Sequence, residues 1–161
     1  MNVTFAPKGI VQIDDCRIIF RNFSGAPSKY NRAGDRNFAV VIPDEETADN
    51  LIAKGWNVRV KPPRDEGEEP LRYLPVKIKF NEHGPVVYLR TGTKKTRLDE
   101  ENVDIIDSID ILSVDLDISP YNWEMDGKTG QTAYLTAICV TQAVDRFYEE
   151  DGSVIEDNAP F

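Results

Sequence analysis

Basic residues recur in this chain at the spacing that places them on one face of a β-strand. Arg59 and Lys61 flank Val60, Lys77 and Lys79 flank Ile78, and Arg90 follows the apolar run before it. Side chains two residues apart project from the same face of a strand, so these cations stand opposite an apolar face. If the strands are neighbours, the cations form a stripe across one sheet. Lys94, Lys95 and Arg97 add a basic turn near its end, and residues 28–36 form a loop carrying Lys29, Tyr30, Arg32 and Arg36. Aromatic residues are interleaved with the charge: Tyr30 precedes Arg32, Trp56 precedes Arg59, Tyr73 follows Arg72, and Tyr88 shares the face of Arg90. Cations of this kind track phosphates, and rings stack on unpaired bases at roughly 1–3 kcal/mol each. Duplex readout is not indicated, because no basic recognition helix is visible. The residues predicted to contact single-stranded nucleic acid are Tyr30, Arg32, Arg36, Trp56, Arg59, Lys61, Lys77, Lys79, Tyr88, Arg90, Lys94, Lys95 and Arg97. Phe20, Phe38 and Phe80 read as core.

Catalytic chemistry finds little support. His83, the single histidine, stands in a turn signal with no serine, cysteine or metal-ligand spacing around it. Asp115 and Asp117 share one strand face and could serve a metal-dependent nuclease, but Ser113 and Ser119 make the same face read as wet sheet surface. Phosphate-binding glycine loops are absent. The reading is therefore a protein with no catalytic residue, no metal and no cofactor. Cys16 and Cys139 lie in apolar alternating runs without CxxC spacing, as buried free thiols of a reducing cytoplasm would.

The net charge of −9 hides an asymmetry. Residues 1–98 hold 17 lysines and arginines against 12 acids, net +5; residues 99–161 hold 2 against 16, net −14. A basic first part joined to an acidic last part suggests a polyanion-binding surface with its own acidic competitor. With 161 residues, 40% of them hydrophobic, the chain can build one ordinary domain core. No apolar run reaches the length of about 18 residues that a membrane helix needs, and no signal peptide is visible.

The elements that must position the cations follow from periodicity. Alternation predicts strands over residues 11–13, 16–21, 36–42, 56–61, 73–80, 85–91, 109–118 and 131–143. The segment 81–84 is expected to turn the fifth of these into the sixth as a hairpin. Residues 44–55 predict one short helix, opened by Asp44 or Pro43, with acids in its first turn and Gly55 as its cap. Residues 98–108 are expected to make one or two acidic helical turns. With short turns and no βαβ rhythm, the fold class is mainly β: an OB-fold-like antiparallel β-barrel with one short helix and insertions, a β-sandwich being the second choice. The binding domain is expected to span residues 1–147, and residues 148–161 a flexible, disordered acidic tail.

That tail closes on Glu156-Asp157-Asn158-Ala159-Pro160-Phe161, which resembles the C-terminal tip of bacterial and phage single-stranded-DNA-binding proteins. The acids are matched by Glu156 and Asp157, the hydrophobic end by Pro160 and Phe161. The resemblance implies docking of Phe161, by ring and α-carboxylate, into basic, apolar pockets of replication or recombination proteins. Only about ten residues separate barrel and tip, without the long Gly/Gln/Pro linker of the bacterial proteins, so the likeness is to the phage type. As a tethered polyanion the tail is also expected to compete with DNA for the cationic face in a salt-dependent way. Dimerisation through an edge strand is left open. The competing readings are an acidic DNA-mimic inhibitor, for which a cationic sheet face has little use, and the nuclease using Asp115 and Asp117.

Overall fold

The computed structural model describes residues 1–148. Glu156, Asp157, Pro160 and Phe161, and with them the predicted tail from residue 149 onward, lie outside the described residues. Ten strands form one sheet: β1 (Asn2–Phe5), β2 (Val11–Cys16), β3 (Ile18–Asn22), β4 (Arg36–Val41), β5 (Arg59–Lys61), β6 (Leu71–Ile78), β7 (Val86–Thr91), β8 (Lys94–Leu98), β9 (Ile111–Met125) and β10 (Lys128–Gln142). One helix, α1 (Glu45–Ala53), joins β4 to β5, and 3₁₀ turns lie at Pro7–Gly9 and Val103–Asp107. Hydrogen-bonded neighbours run β1-β2-β9-β10-β6-β4-β3, with β5 on β6 and the β7–β8 pair on β10. The sheet wraps one hydrophobic core without closing. Val11, Ile13, Phe38, Val40, Leu74, Val76, Leu116, Ile118, Ile138 and Val140 are all buried in it, and α1 adds Ala48 and Leu51.

The mainly-β architecture with one helix is the one the periodicity implies. Asp44 caps the helix, accepting the Thr47 backbone N–H at 2.7 Å. That bond holds its carboxyl below the usual carboxylate range.

Several expectations are corrected. β6 and β7 do not pair as a hairpin, and the sheet is not wholly antiparallel. Asn81 and Gly84 close a small jog, with the Asn81 N–H on the Gly84 carbonyl at 2.8 Å, after which the chain resumes its course. Both strands then lie parallel to β10, β6 through Val76 and Lys77 against Ala133 and Tyr134, and β7 through residues 86–90 against 137–141. A β6–β7 hairpin has no edge to form on, because β4 lines one side of β6 and β5 and β10 share the other. The partner of β7 is β8, joined by a two-residue loop in which Gly92 takes φ 64; the basic turn of the sequence reading is thus mostly strand.

The predicted strand 109–118 is too short as well. β9 continues to Met125, turns at Asp126-Gly127 with φ of 52 and 79, and returns as β10 from Lys128. Such a two-residue turn with both φ positive matches the twist of a hairpin.

The second 3₁₀ turn is fastened to β3. Arg21 Nη1 donates to the carbonyls of Ile106 and Ile109, each at 2.7 Å. The Asp107 carboxylate accepts the Phe23 N–H at 2.7 Å and the Ser24 N–H at 3.0 Å. Asp107→Ala leaves both donors without their charged acceptor, so denaturant unfolding should show a loss of about 2 kcal/mol with an unchanged m-value.

Candidate nucleic-acid interface

A groove opens where β6 and β10 part company. The two strands pair only at Val76–Lys77 against Ala133–Tyr134; on the N-terminal side of those residues they diverge. The gap, about 830 Å³, is lined on one side by Arg59, Pro75 and Lys77 and on the other by Tyr121, Trp123, Thr132 and Tyr134. Tyr121 and Tyr134 meet edge to face at 5.9 Å and 80°. Tyr134 links this gap to two adjoining hollows, one reaching Lys79 and the 81–85 jog, the other reaching Tyr30, Arg32 and Asn37.

The cations get there by strand parity. Leu74, Val76 and Ile78 are buried, so Tyr73, Pro75, Lys77 and Lys79 face outward. Arg59 stands opposite Tyr73 in register and Lys61 opposite Leu71, which puts both on the same outer face. The loop bearing Tyr30 and Arg32 is pinned by Asn31, whose amide donates to the carbonyls of Ala26, Arg32 and Asp35 at 2.9–3.1 Å. Tyr30 is 89% exposed, with the Lys29 ammonium 5.5 Å from its ring centre. Arg32 lies 3.6 Å from Asp35.

Two predicted residues serve the fold instead. Trp56 is only 4% exposed and lies at the floor of the gap as part of the core. Arg36 donates to the Phe23 carbonyl at 2.6 Å, lies 3.8 Å from Glu100 and covers the Phe80 ring at 5.4 Å. These contacts hold its guanidinium within the protein.

The remaining predicted residues form a separate patch on the β7–β8 ribbon. Tyr88 pairs with Arg97 and Arg90 with Lys95 on the outer face, and the Lys95 ammonium sits 4.2 Å above the Tyr88 ring. Register places Lys94 opposite Thr91, on the other face at the ribbon tip. Tyr88 adjoins Cys139 of β10, five residues beyond Tyr134, roughly 16 Å along the strand. Groove and ribbon are thus successive stations along one edge of β10.

Sequence reasoning missed Tyr121, Trp123 and Tyr134. The signal was present: Tyr121, Trp123 and Met125 alternate, but Ser119-Pro120 reads as a strand stop. Gly130 has a particular place in this arrangement. A Cβ there would lie 2.3 Å from Cζ2 of Trp123, so the glycine lets the indole lie across β10. Trp123 remains 39% exposed.

Asp35 and Glu100 line the hollow beside Tyr30, and further acids stand along β9 and β2. Asp115 and Asp117 face outward from the other half of β9, beside Asp15 and Gln12 of β2. Asp115 accepts the Asp15 N–H at 2.8 Å, and Ser113 donates to Asp15 at 2.9 Å. The Asp117 carboxyl is raised by burial and then by Asp14. Among the described residues no three His, Cys, Asp or Glu side chains converge to hold a metal ion. Cys16 is buried, and that burial, reinforced by Asp115, pushes its thiol up to about 12; Cys139 is half-buried on the outer face of β10. No helix among the described residues is long and apolar enough to cross a membrane.

Residues 2–159 match the family described as "Putative phage ssDNA-binding domain", and the chain belongs to that family. No curated protein sequence matches it. Among solved structures it is similar to the single-stranded DNA-binding protein from bacteriophage Enc34, with a TM-score of 0.59 and 11% identity over 94% of this chain and 92% of that one. The same phage protein in complex with ssDNA gives a TM-score of 0.58 and 13% identity, covering 91% of this chain and 94% of that one. At these identities the likeness is one of fold.

Gly130→Ala tests the role of the indole. The added methyl should displace Trp123, weaken oligo-dT binding about fivefold through partial loss of one stack, and reduce the quenching of tryptophan fluorescence on binding. Trp56, the second of two tryptophans, lies at the floor of the same gap, so the measurement is made in a Trp56→Phe background where the signal reports on Trp123. Unchanged affinity and quenching would show that the ring needs no such placement.

Proposed function

We propose that this protein binds single-stranded DNA without sequence preference and covers exposed strands during phage DNA replication and recombination in the cytoplasm of the bacterial host. It acts by binding, not by catalysis. The observation that carries the reading is the convergence of three rings, Tyr121, Trp123 and Tyr134, with Arg59 and Lys77 around one open gap, and with Lys79 in the hollow that adjoins it. Bases stack on the rings while the cations follow the phosphates. Tyr30 and Arg32 extend the contact at one end of the groove, and Tyr88, Arg90, Lys95 and Arg97 offer a further run of positive charge. Membership of the family and the ssDNA complex of its structural relative from bacteriophage Enc34 support the same assignment.

The acidic tail is given two tasks. Residues 149–161 contain five acids and no base, so at low salt they compete with DNA for the cationic face. Displaced by DNA, the tip with Glu156, Asp157, Pro160 and Phe161 becomes available to replication or recombination proteins.

Fluorescence-anisotropy titration of labelled oligo-dT at several salt concentrations tests both parts. Lys77→Gln should weaken binding to all sequences alike and flatten the log–log salt dependence by about 0.7, as removal of one single-strand phosphate contact does. A chain ending at Tyr148 should bind more tightly than the full chain at low salt, the difference fading as salt rises. Equal affinity of the two forms at low salt would remove the competition. Absence of binding by either would refute the DNA-binding assignment and favour the acidic mimic.

A further inference from the structure

Beyond the groove, on the same outer face, stands a second aromatic pair, one ring exposed and the other half-buried. Phe20 lies where β3 slips out of register with β4, at φ 54. A left-handed backbone is disfavoured for a bulky aromatic residue and persists only where the surroundings enforce it. The conformation does not serve to bury the ring, which is 56% exposed. Instead Phe20 meets Tyr73 edge to face at 5.4 Å and 84°. Tyr73 belongs to the outer row of β6 that also carries Lys77, four residues and about 13 Å further along the strand. Arg59, which lines the groove, stands beside Tyr73 in register.

We infer that the Phe20–Tyr73 pair is a second stacking site, taking an unpaired base of the same strand that the groove holds, with Arg59 on the intervening phosphate. The inference rests on the groove being the DNA site. It is favoured by continuity: a strand leaving the gap past Arg59 meets this pair next. The ligand is a base within a longer strand, purine or pyrimidine alike, because an aromatic face stacks on any of them.

The test compares oligo-dT of about 6 and about 16 nucleotides, within the range one barrel covers, on the full chain and three variants. Phe20→Ala and Phe20→Gly should weaken the longer oligonucleotide about tenfold, one lost stack, and leave the shorter one unchanged. Glycine adopts positive φ freely, so Phe20→Gly should melt no lower than the parent despite its weaker binding. Trp123→Ala should weaken both lengths. Full-length affinity for the longer oligonucleotide in both Phe20 variants, with Trp123→Ala impaired, overturns the second site and leaves the groove standing. Equal losses at both lengths together with a lowered melting temperature in Phe20→Gly overturn it too, since Phe20 then supports the fold. Failure of the parent chain to bind either oligonucleotide overturns groove and second site together.

Discussion

A strand has two edges, and the way β10 uses its two governs this molecule. One edge is occupied along its whole length by β9 in a hairpin of two 15-residue strands. The other is divided between β6 and β7, each laid parallel to it and joined by a short jog. Sharing leaves β6 with only two paired residues on β10, so a gap opens beyond them. Its walls are the outer rows of β6 and of the hairpin, which carry the cations and the rings respectively. The groove is thus a consequence of strand pairing, and its chemistry follows from which parity of residues each strand keeps out of the core. A bulge at Thr136 keeps that parity in step further along, so that Cys139 and Thr141 adjoin Tyr88 and Arg90 on the same face.

Much of the cationic side could be read from sequence because its pattern is local. Val76 and Ile78 against Lys77 and Lys79 define a half-buried strand from eight residues alone, and Asp44 with Glu45 and Glu46 marks the start of a helix equally locally. The aromatic side could not be read in this way. Pro120 looks like the end of a strand, yet β2 pairs with β9 only as far as Ile118. At Pro120 the edge of β9 facing away from β10 is free, and a missing N–H there costs no ladder bond. Likewise Gly127 and Gly130 read as one loop, whereas Gly127 makes the turn and Gly130 makes room for an indole. Each misreading involves a residue whose meaning is set by a neighbour distant in sequence or across the sheet. The β6–β7 hairpin failed for the same reason, since a turn signal fixes a change of course but not the strand that waits beyond it. Trp56 shows the converse, an aromatic next to a cation in sequence whose ring the core claims.

Charge segregation carries over from composition to space, though not as two separate halves. Arg59, Lys77, Lys79 and the β7–β8 ribbon lie on one side of β10; Asp115 and Asp117 lie on the other, in β9, with Asp15 beyond them in β2. A polyanion bound as proposed would therefore be guided along the β6–β7 side of the strand. At physiological salt the Debye length is about 8 Å, shorter than the roughly 16 Å from Tyr134 to Cys139 along β10. Groove and ribbon then act as distinct patches, each felt by the phosphates directly over it.

The composition of the groove also argues for tolerance of sequence. Lys77 and Lys79 present compact charges without the planar fork by which an arginine such as Arg59 can read a guanine edge. Tyrosine and tryptophan faces accept any base. Among the amides along it, Asn37 and Gln131 are turned to the protein: Asn37 donates to Asn31 at 2.9 Å, and Gln131 reaches the Lys54 carbonyl at 3.5 Å. Under the proposed function, with Asn37 and Gln131 engaged and its rings free, the groove would hold a strand more readily than it would choose one. That balance suits a protein which must follow whatever sequence is exposed.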